Sequence, residues 1–227
     1  MKKLFLLPLL VFVLGKSSKA QNTDWRDQVT NQKSLHFNVG TQGVGAEFAY
    51  GVLPKMSLRL GANIIPVSAD NVFSVSGFNS NSRMSANFSN IHLLADFIPF
   101  KSAPGFRLVG GAGYFINAKG KIAVQPKDNY TYGDIVLNNE EVGNLNMNVN
   151  WRGFAPYAGI GLLKPFSNRT FNVNLDLGTY FLKQPDANIT ASGILSGNTS
   201  QSAQLQQNLK GYRFLPVVQL NFNFRIQ

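Results

Sequence analysis

The sequence predicts an all-β fold: an antiparallel transmembrane β-barrel of eight strands, with short periplasmic turns and long extracellular loops. Three observations lead there. Apolar and polar residues alternate with a period of two through most of the chain. Tight turns alternate with long polar segments. The chain opens with an export signal and is poor in charge but rich in aromatics.

A period of two puts successive side chains on opposite faces of a strand. At the C-terminal end, Val218, Leu220, Phe222 and Phe224 share one face, and Gln219, Asn221 and Asn223 share the other. In 170–182, Phe171, Val173, Leu175 and Leu177 oppose Asn172, Asn174, Asp176 and Gly178. In 56–64, Leu58, Leu60 and Ala62 oppose Arg59, Gly61 and Asn63; in 43–52, Ala46, Phe48 and Tyr50 oppose Gly45, Glu47 and Ala49. Segments 85–99, 105–117 and 150–164 follow the pattern less cleanly, and 34–40 makes a short eighth strand. Tight turns fall at Leu53-Pro54-Lys55, at Lys101 to Gly105 and at Ser167-Asn168-Arg169. Between them, segments 67–83, 119–149 and 184–209 are rich in Asn, Ser, Gly and Gln, the composition of loops. Short turns on one side and long loops on the other are the pattern of outer-membrane barrels, and an even strand count puts both termini in the periplasm.

Composition separates a membrane barrel from a soluble one. Only 14% of residues are charged, against roughly 25% in an ordinary soluble domain. The chain holds 18 Phe, 21 Gly and no Cys, which excludes disulfides, thiolate metal sites and cysteine nucleophiles. Glycines cluster on the charged face, as a narrow lumen requires. Large aromatics (Tyr50, Phe106, Trp151, Phe181, Tyr212, Phe224) fall near strand ends on the apolar face, where membrane girdles sit. The predicted arrangement therefore puts Phe48, Leu60, Leu175 and Phe222 toward lipid and Glu47, Arg59, Asp176 and Asn223 toward the lumen.

Residues 1–20 have the organisation of a secretory signal peptide. Lys2 and Lys3 precede an apolar run from Leu4 to Leu14, too short to span a bilayer, and Ser18-Lys19-Ala20 places small residues at the cleavage site before Gln21. The expected division is signal peptide 1–20, a short periplasmic N-terminal segment 21–33 and the barrel 34–227. Removing Lys2, Lys3, Lys16 and Lys19 leaves 17 basic against 11 acidic side chains. The remaining basic residues form no run, so nucleic acid is not an expected partner.

The block Val39-Gly40-Thr41-Gln42-Gly43-Val44-Gly45-Ala46-Glu47, followed by Leu58-Arg59-Leu60-Gly61, resembles the N-terminal strands of small outer-membrane β-barrel proteins of Bacteroidetes type. The Asn/Phe alternation of the last strand resembles their C-terminal insertion signal, with one departure: Phe224 is followed by Arg225-Ile226-Gln227 where the signal ends in an aromatic residue. The resemblance covers about residues 34–227. It implies eight antiparallel strands, an outer-membrane location and insertion by the barrel-assembly machinery. It implies no shared activity, because such barrels serve as anchors, adhesins, lipid enzymes, conduits and secretion components.

Strand parity places Glu47, Arg59, Asp96, Arg107, Asp176, Arg213 and Arg225 on the polar face, with His92 beside them. Isolated buried charges are costly, so these residues are expected to pair and plug a lumen that eight strands leave just wide enough for side chains. Catalysis is not expected. His36 and His92 are the only histidines; Asp96 shares a strand face with His92 but lies about 13 Å along the strand. There is no Gly-x-Ser-x-Gly elbow and no HExxH motif, and neither a metal nor a cofactor is expected. Gly40, Gly43 and Gly45 precede a strand and not a helix, so they mark a hairpin and no nucleotide site. The long loops are the expected binding surface. Within them, Val72, Phe73, Val75 and Phe78 are a possible site for a small apolar ligand. The expected role is structural or surface-binding, with outer-membrane lipid, lipopolysaccharide and an unidentified protein or hydrophobic ligand as partners. The alternatives are a conduit for small hydrophobic molecules and an accessory component of a secretion machine.

Overall fold

In a computed structural model of the chain, residues 29–71, 80–166 and 170–226 are described. Eight long strands close into a ring: β1 (Lys33–Gly40), β2 (Gly43–Leu53), β3 (Met56–Asp70), β4 (Ser80–Phe97), β5 (Arg107–Pro126), β9 (Gly153–Leu162), β10 (Phe171–Phe181) and β12 (Phe214–Ile226). Each pairs antiparallel with its neighbours, β5 pairs with β9 and β12 returns to β1, so the ring leaves no open edge. Closure satisfies the backbone hydrogen bonds that lipid cannot. The short first strand is a full member: Leu35 lies opposite Phe224 on one side and Phe48 on the other.

Alternation determines the faces. Phe48, Leu60, Ile91, Leu93, Val218 and Leu220 point outward and are exposed, whereas Glu47, Arg59, His92, Asp96, Arg107 and Asp176 point inward and are buried. Aromatics cluster at both ends on β1, β10 and β12. Phe37, Phe171, Phe222 and Phe224 pack together at the periplasmic end, with Phe171 and Phe224 5.1 Å apart. At the other end Phe181 meets Phe214 at 5.5 Å. Trp151 departs from its expected girdle position. It folds over the mouth of the barrel against Phe88, and its indole N–H donates to the Tyr212 carbonyl at 3.0 Å.

The expected turn at Pro54-Lys55 joins β2 to β3, and the turn from Lys101 to Gly105 lies between β4 and β5. The third, 167–169, lies outside the described residues, as do residues 1–28 with the signal peptide and 72–79 with Val72, Phe73, Val75 and Phe78. Residues 29–32 are part of the barrel end: Val29 is buried against Ala49, and Asn31 and Gln32 exchange backbone hydrogen bonds with Gly51.

The long polar segments are only partly loop, which corrects the composition-based expectation. Strands β3, β4 and β5 continue beyond the ring, to Asp70, Ser80 and Pro126. Within 119–149 lie a small hairpin, β6 (Tyr130–Tyr132) and β7 (Ile135–Leu137), a one-turn helix α1 (Asn139–Val142) and the start of β8 (Leu145–Asn150). Asn138 caps α1, accepting from the Glu140 and Glu141 amides, and Glu141 accepts from the Asn138 amide. Within 184–209, β11 (Asp186–Ala191) is followed by a 3-10 helix (Gly193–Gln201) and α2 (Ser202–Leu209). β8 pairs with upper β5 and β11 pairs with β8, which extends the barrel wall into an extracellular sheet. Asn and Ser conceal such strands from composition because ladder bonds are made by the backbone, whatever the side chain.

A bulge in β5 joins the two regions. Ser89 lies opposite Asn117 but Asn90 lies opposite Phe115, so Ile116 is an extra residue in the ladder. One extra residue exchanges the faces of everything beyond it. Below it Arg107, Val109 and Phe115 are buried inward; above it Ala118 and Val124 are buried and Lys119 and Lys121 are exposed.

Candidate functional site in the barrel lumen

β2, β3, β4, β5 and β10 each aim one charged side chain into the same part of the lumen. Arg59, on β3, lies at the centre. Its Nη1 donates to Glu47 Oε2 at 2.9 Å and to Asp176 Oδ2 at 2.7 Å, and its Nη2 donates to Asp96 Oδ1 at 3.2 Å. Its Nε lies 2.9 Å from Asp96 Oδ2, an ion-pair distance off the hydrogen-bond line. Arg107 bridges the two aspartates, donating to Asp96 Oδ1 at 2.7 Å and Asp176 Oδ1 at 2.8 Å. Both guanidiniums are fully buried.

Neutral side chains satisfy the remaining lone pairs. Glu47 Oε1 accepts from Asn38 at 3.1 Å and Gln219 at 3.0 Å, and His92 Nε2 lies 3.2 Å from it. Asp176 Oδ2 accepts from Asn221 at 2.8 Å, and the Ser57 hydroxyl donates to Asp96 at 3.3 Å. The amides continue upward through Asn63, Asn38, Asn90 and Gln42. Gln42 sits in the two-residue β1–β2 turn, where Gly43 holds φ at +82°, and its side chain drops into the top of the lumen.

Glycines make the room. A Cβ at Gly161 would collide with the Arg107 guanidinium, and one at Gly61 with Glu47 and the His92 ring. β3 and β9 thus give up side-chain volume where the longest ionic side chains cross the lumen.

Above the ions lies an apolar layer of Leu94, Val109, Phe115, Tyr157, Tyr180 and Val217, all buried. Tyr180 packs edge-on to Phe115 at 5.3 Å and lies 4.8 Å from Tyr157. At the junction of the two layers, a cavity of about 10 Å³ lies between Glu47, His92, Asp176 and the tyrosines. This is at the lower limit for a single water molecule.

Of the eight charged residues assigned to the lumen by parity, six meet there: Glu47, Arg59, His92, Asp96, Arg107 and Asp176. Arg213 and Arg225 do not, which corrects that assignment. Arg213 precedes β12 beyond the extracellular rim, is exposed, and donates to the Lys210 carbonyl at 3.2 Å. Arg225 has inward parity but lies at the periplasmic mouth and is exposed. Parity gives a side but not a depth, and both arginines lie too near an end to reach the centre. Sequence reasoning passed over His36, fully buried on β1 with its Nδ1 3.9 Å from Glu47 and its Nε2 2.7 Å from the Ser34 hydroxyl. Its even position, shared with Ser34 and Asn38, was the available signal. No group of three or more His, Asp or Glu side chains among the described residues could hold a metal ion.

No family model matches the chain, and no curated protein matches it. Two solved structures from Acinetobacter baumannii are similar in fold, each at 20% sequence identity. CarO2 superposes with a TM-score of 0.63 over 86% of this chain and 98% of its own; CarO superposes at 0.62 over 88% and 99%. The likeness extends over the eight-stranded barrel and is not specific to the Bacteroidetes type. With its apolar exterior, polar buried interior and closed ring, the chain is an outer-membrane β-barrel protein.

Proposed function

We propose that the chain is a non-conducting barrel that serves the envelope as a structural element and carries a folded binding surface outside the cell. The ion network of Arg59 and Arg107 with Glu47, Asp96 and Asp176 carries the reading of a plugged lumen. An ion moving through would have to separate buried pairs, and removing one partner of such a pair costs about 3–5 kcal/mol. The aromatic layer above is a second barrier. Planar-bilayer recording tests the reading: the purified monomer is expected to give no stable porin-like conductance, and a large steady conductance overturns it.

The non-enzymatic reading is supported by the setting of Ser34 and His36. They are hydrogen-bonded, but both are buried inside the barrel. The space beside Ser34, bounded by Pro165, Phe166 and Asn223, is too narrow to admit a water molecule. A nucleophile there has no room to receive an acyl group. The proposed partners are the barrel-assembly machinery during insertion, outer-leaflet lipid and a ligand of the extracellular surface. The rival reading, a conduit for small hydrophobic molecules, predicts poorer growth on apolar substrates after deletion. The plugged-barrel reading predicts unchanged uptake.

A further inference from the structure

The extracellular sheet has two unlike faces. On its inner face, Ile122 lies opposite Met147, and Met147 opposite Ile189; Val124 lies opposite Leu145. The 3-10 helix and α2 pack on β11. On its outer face the paired residues form polar rows. Asn87, Lys119, Asn150 and Asp186 lie side by side across β4, β5, β8 and β11, and Ser85, Lys121, Asn148 and Asn188 form the next row. The lining of a concave space of about 550 Å³ on this wall includes Asp70, Arg83, Ser85, Lys121, Gln125 and Asn146.

On β4 and β5 the charge of this face near the membrane is basic, and the exposed acid of the first row, Asp186, stands two strands from Lys119, on β11. Asp70 is neutralised by Arg83, whose Nε donates to it at 2.5 Å. Lys119 and Lys121 are exposed and adjacent to Asn and Ser. Arg152, Lys183 and Arg213, also exposed, stand one or two residues beyond the outward aromatics Phe154, Phe181 and Phe214 and continue the cationic band around the rim. Height decides what this band meets. Lys119 is three residues past Ile116, the last outward apolar residue of lower β5. At about 3.3 Å per residue along a strand tilted about 45°, that is roughly 7 Å above the apolar belt. The polar layer on each side of a bilayer is about 5–7 Å deep. Lys119 therefore stands at headgroup depth, and Lys121 above it.

We propose that this outer face docks the phosphorylated sugar headgroup of the outer-leaflet glycolipid. The two lysines meet the phosphates as point charges. The rows of Asn and Ser offer the alternating donors and acceptors that sugar hydroxyls require. This deepens the surface role proposed above and is independent of whether the lumen conducts.

Native mass spectrometry of the full barrel in detergent tests it, with diphosphorylated lipid A as probe. Dephosphorylated lipid A, phosphatidylglycerol and inorganic phosphate are the comparison arms. The diphosphorylated glycolipid is expected to bind best. Lys119→Gln with Lys121→Gln is expected to weaken it about tenfold, Lys119→Arg with Lys121→Arg to retain it, and Lys127→Gln, beyond the end of β5, to leave it unchanged. Heat-modifiable migration on a gel reports whether each variant has folded. Should the double Gln variant fail to fold, Asn146→Ala with Asn148→Ala keeps both charges and is expected to lose affinity severalfold. Unchanged binding in the folded variants overturns the proposal. So does equal binding of phosphatidylglycerol, which would mean general anionic attraction, or of inorganic phosphate, which would mean a free-anion site. Bilayer conductance is a separate measurement, so failure here leaves the closed-lumen reading standing.

Discussion

The lower and upper halves of β5 belong to one strand yet follow opposite rules. From Arg107 to Phe115 the polar or filling side chains are inside, and Leu108, Tyr114 and Ile116 face lipid. From Ala118 to Pro126 the apolar side chains are inside, and Lys119, Lys121 and Gln125 face water. The first half obeys a membrane, in which the apolar solvent lies outside; the second obeys water, as a soluble sheet does. The difference teaches that in β5 the change from one solvent to the other coincides with one inserted residue, Ile116. Without it, Ile122 and Val124 would emerge into water and Lys119 and Lys121 would turn inward.

Deleting Ile116 attacks the comparison most directly and carries the largest expected effect. Either the upper strand inverts or the lower one does, and the second outcome puts Arg107 into lipid. The inserted, heat-modifiable fraction is expected to fall to a small remnant. Arg59→Ala comes next. It leaves Glu47, Asp96 and Asp176 with one guanidinium between them, and a loss of about 3–5 kcal/mol is expected from urea unfolding in micelles. An unchanged unfolding midpoint would mean that these charges are solvated, and would overturn the plug.

A matched pair of arginine substitutions separates the two halves. Leu175→Arg, on the lipid face of β10, is expected to destabilise by about 2–4 kcal/mol if it lies near the midplane. Gln125→Arg, on the outward face of upper β5, is exposed and is expected to change stability by less than about 0.5 kcal/mol. Equal effects in the same unfolding assay would deny that the two outward faces meet different solvents. Gly161→Ala pushes a methyl group into the Arg107 guanidinium and is expected to cost about 1–3 kcal/mol.

The smallest effect belongs to α2, where it meets β11. Gln206 accepts from the Ala187 amide at 2.6 Å and donates to the Pro185 carbonyl at 2.7 Å, and Ser202 bonds both backbone groups of Ile189. These side chains occupy the free edge of β11, which would otherwise invite another strand. Gln206→Ala is expected to cost about 0.5–1.5 kcal/mol, felt locally. Hydrogen exchange is expected to rise at Ala187 while the barrel unfolding midpoint stays fixed.

Alternation alone determined which strands form the ring and which way β2, β3, β10 and β12 face, because a strand beside lipid must present an apolar side chain at every second position. The inward acids and bases were legible for the same reason: Glu47, Arg59 and Asp176 interrupt apolar runs at fixed parity. What the tertiary structure decided is depth and partnership. Whether Arg107 or Arg225 reaches Asp176 depends on the closure of β12 onto β1 and on how far from a mouth each residue lies, and period two carries no such coordinate. His36 entered the lumen unnoticed because a lone polar residue in a short strand gives parity too few repeats to judge. The strands hidden in 119–149 and 184–209 were illegible because backbone ladders hold them, and their apolar face became evident only once a single bulge had turned it from lipid toward the barrel mouth.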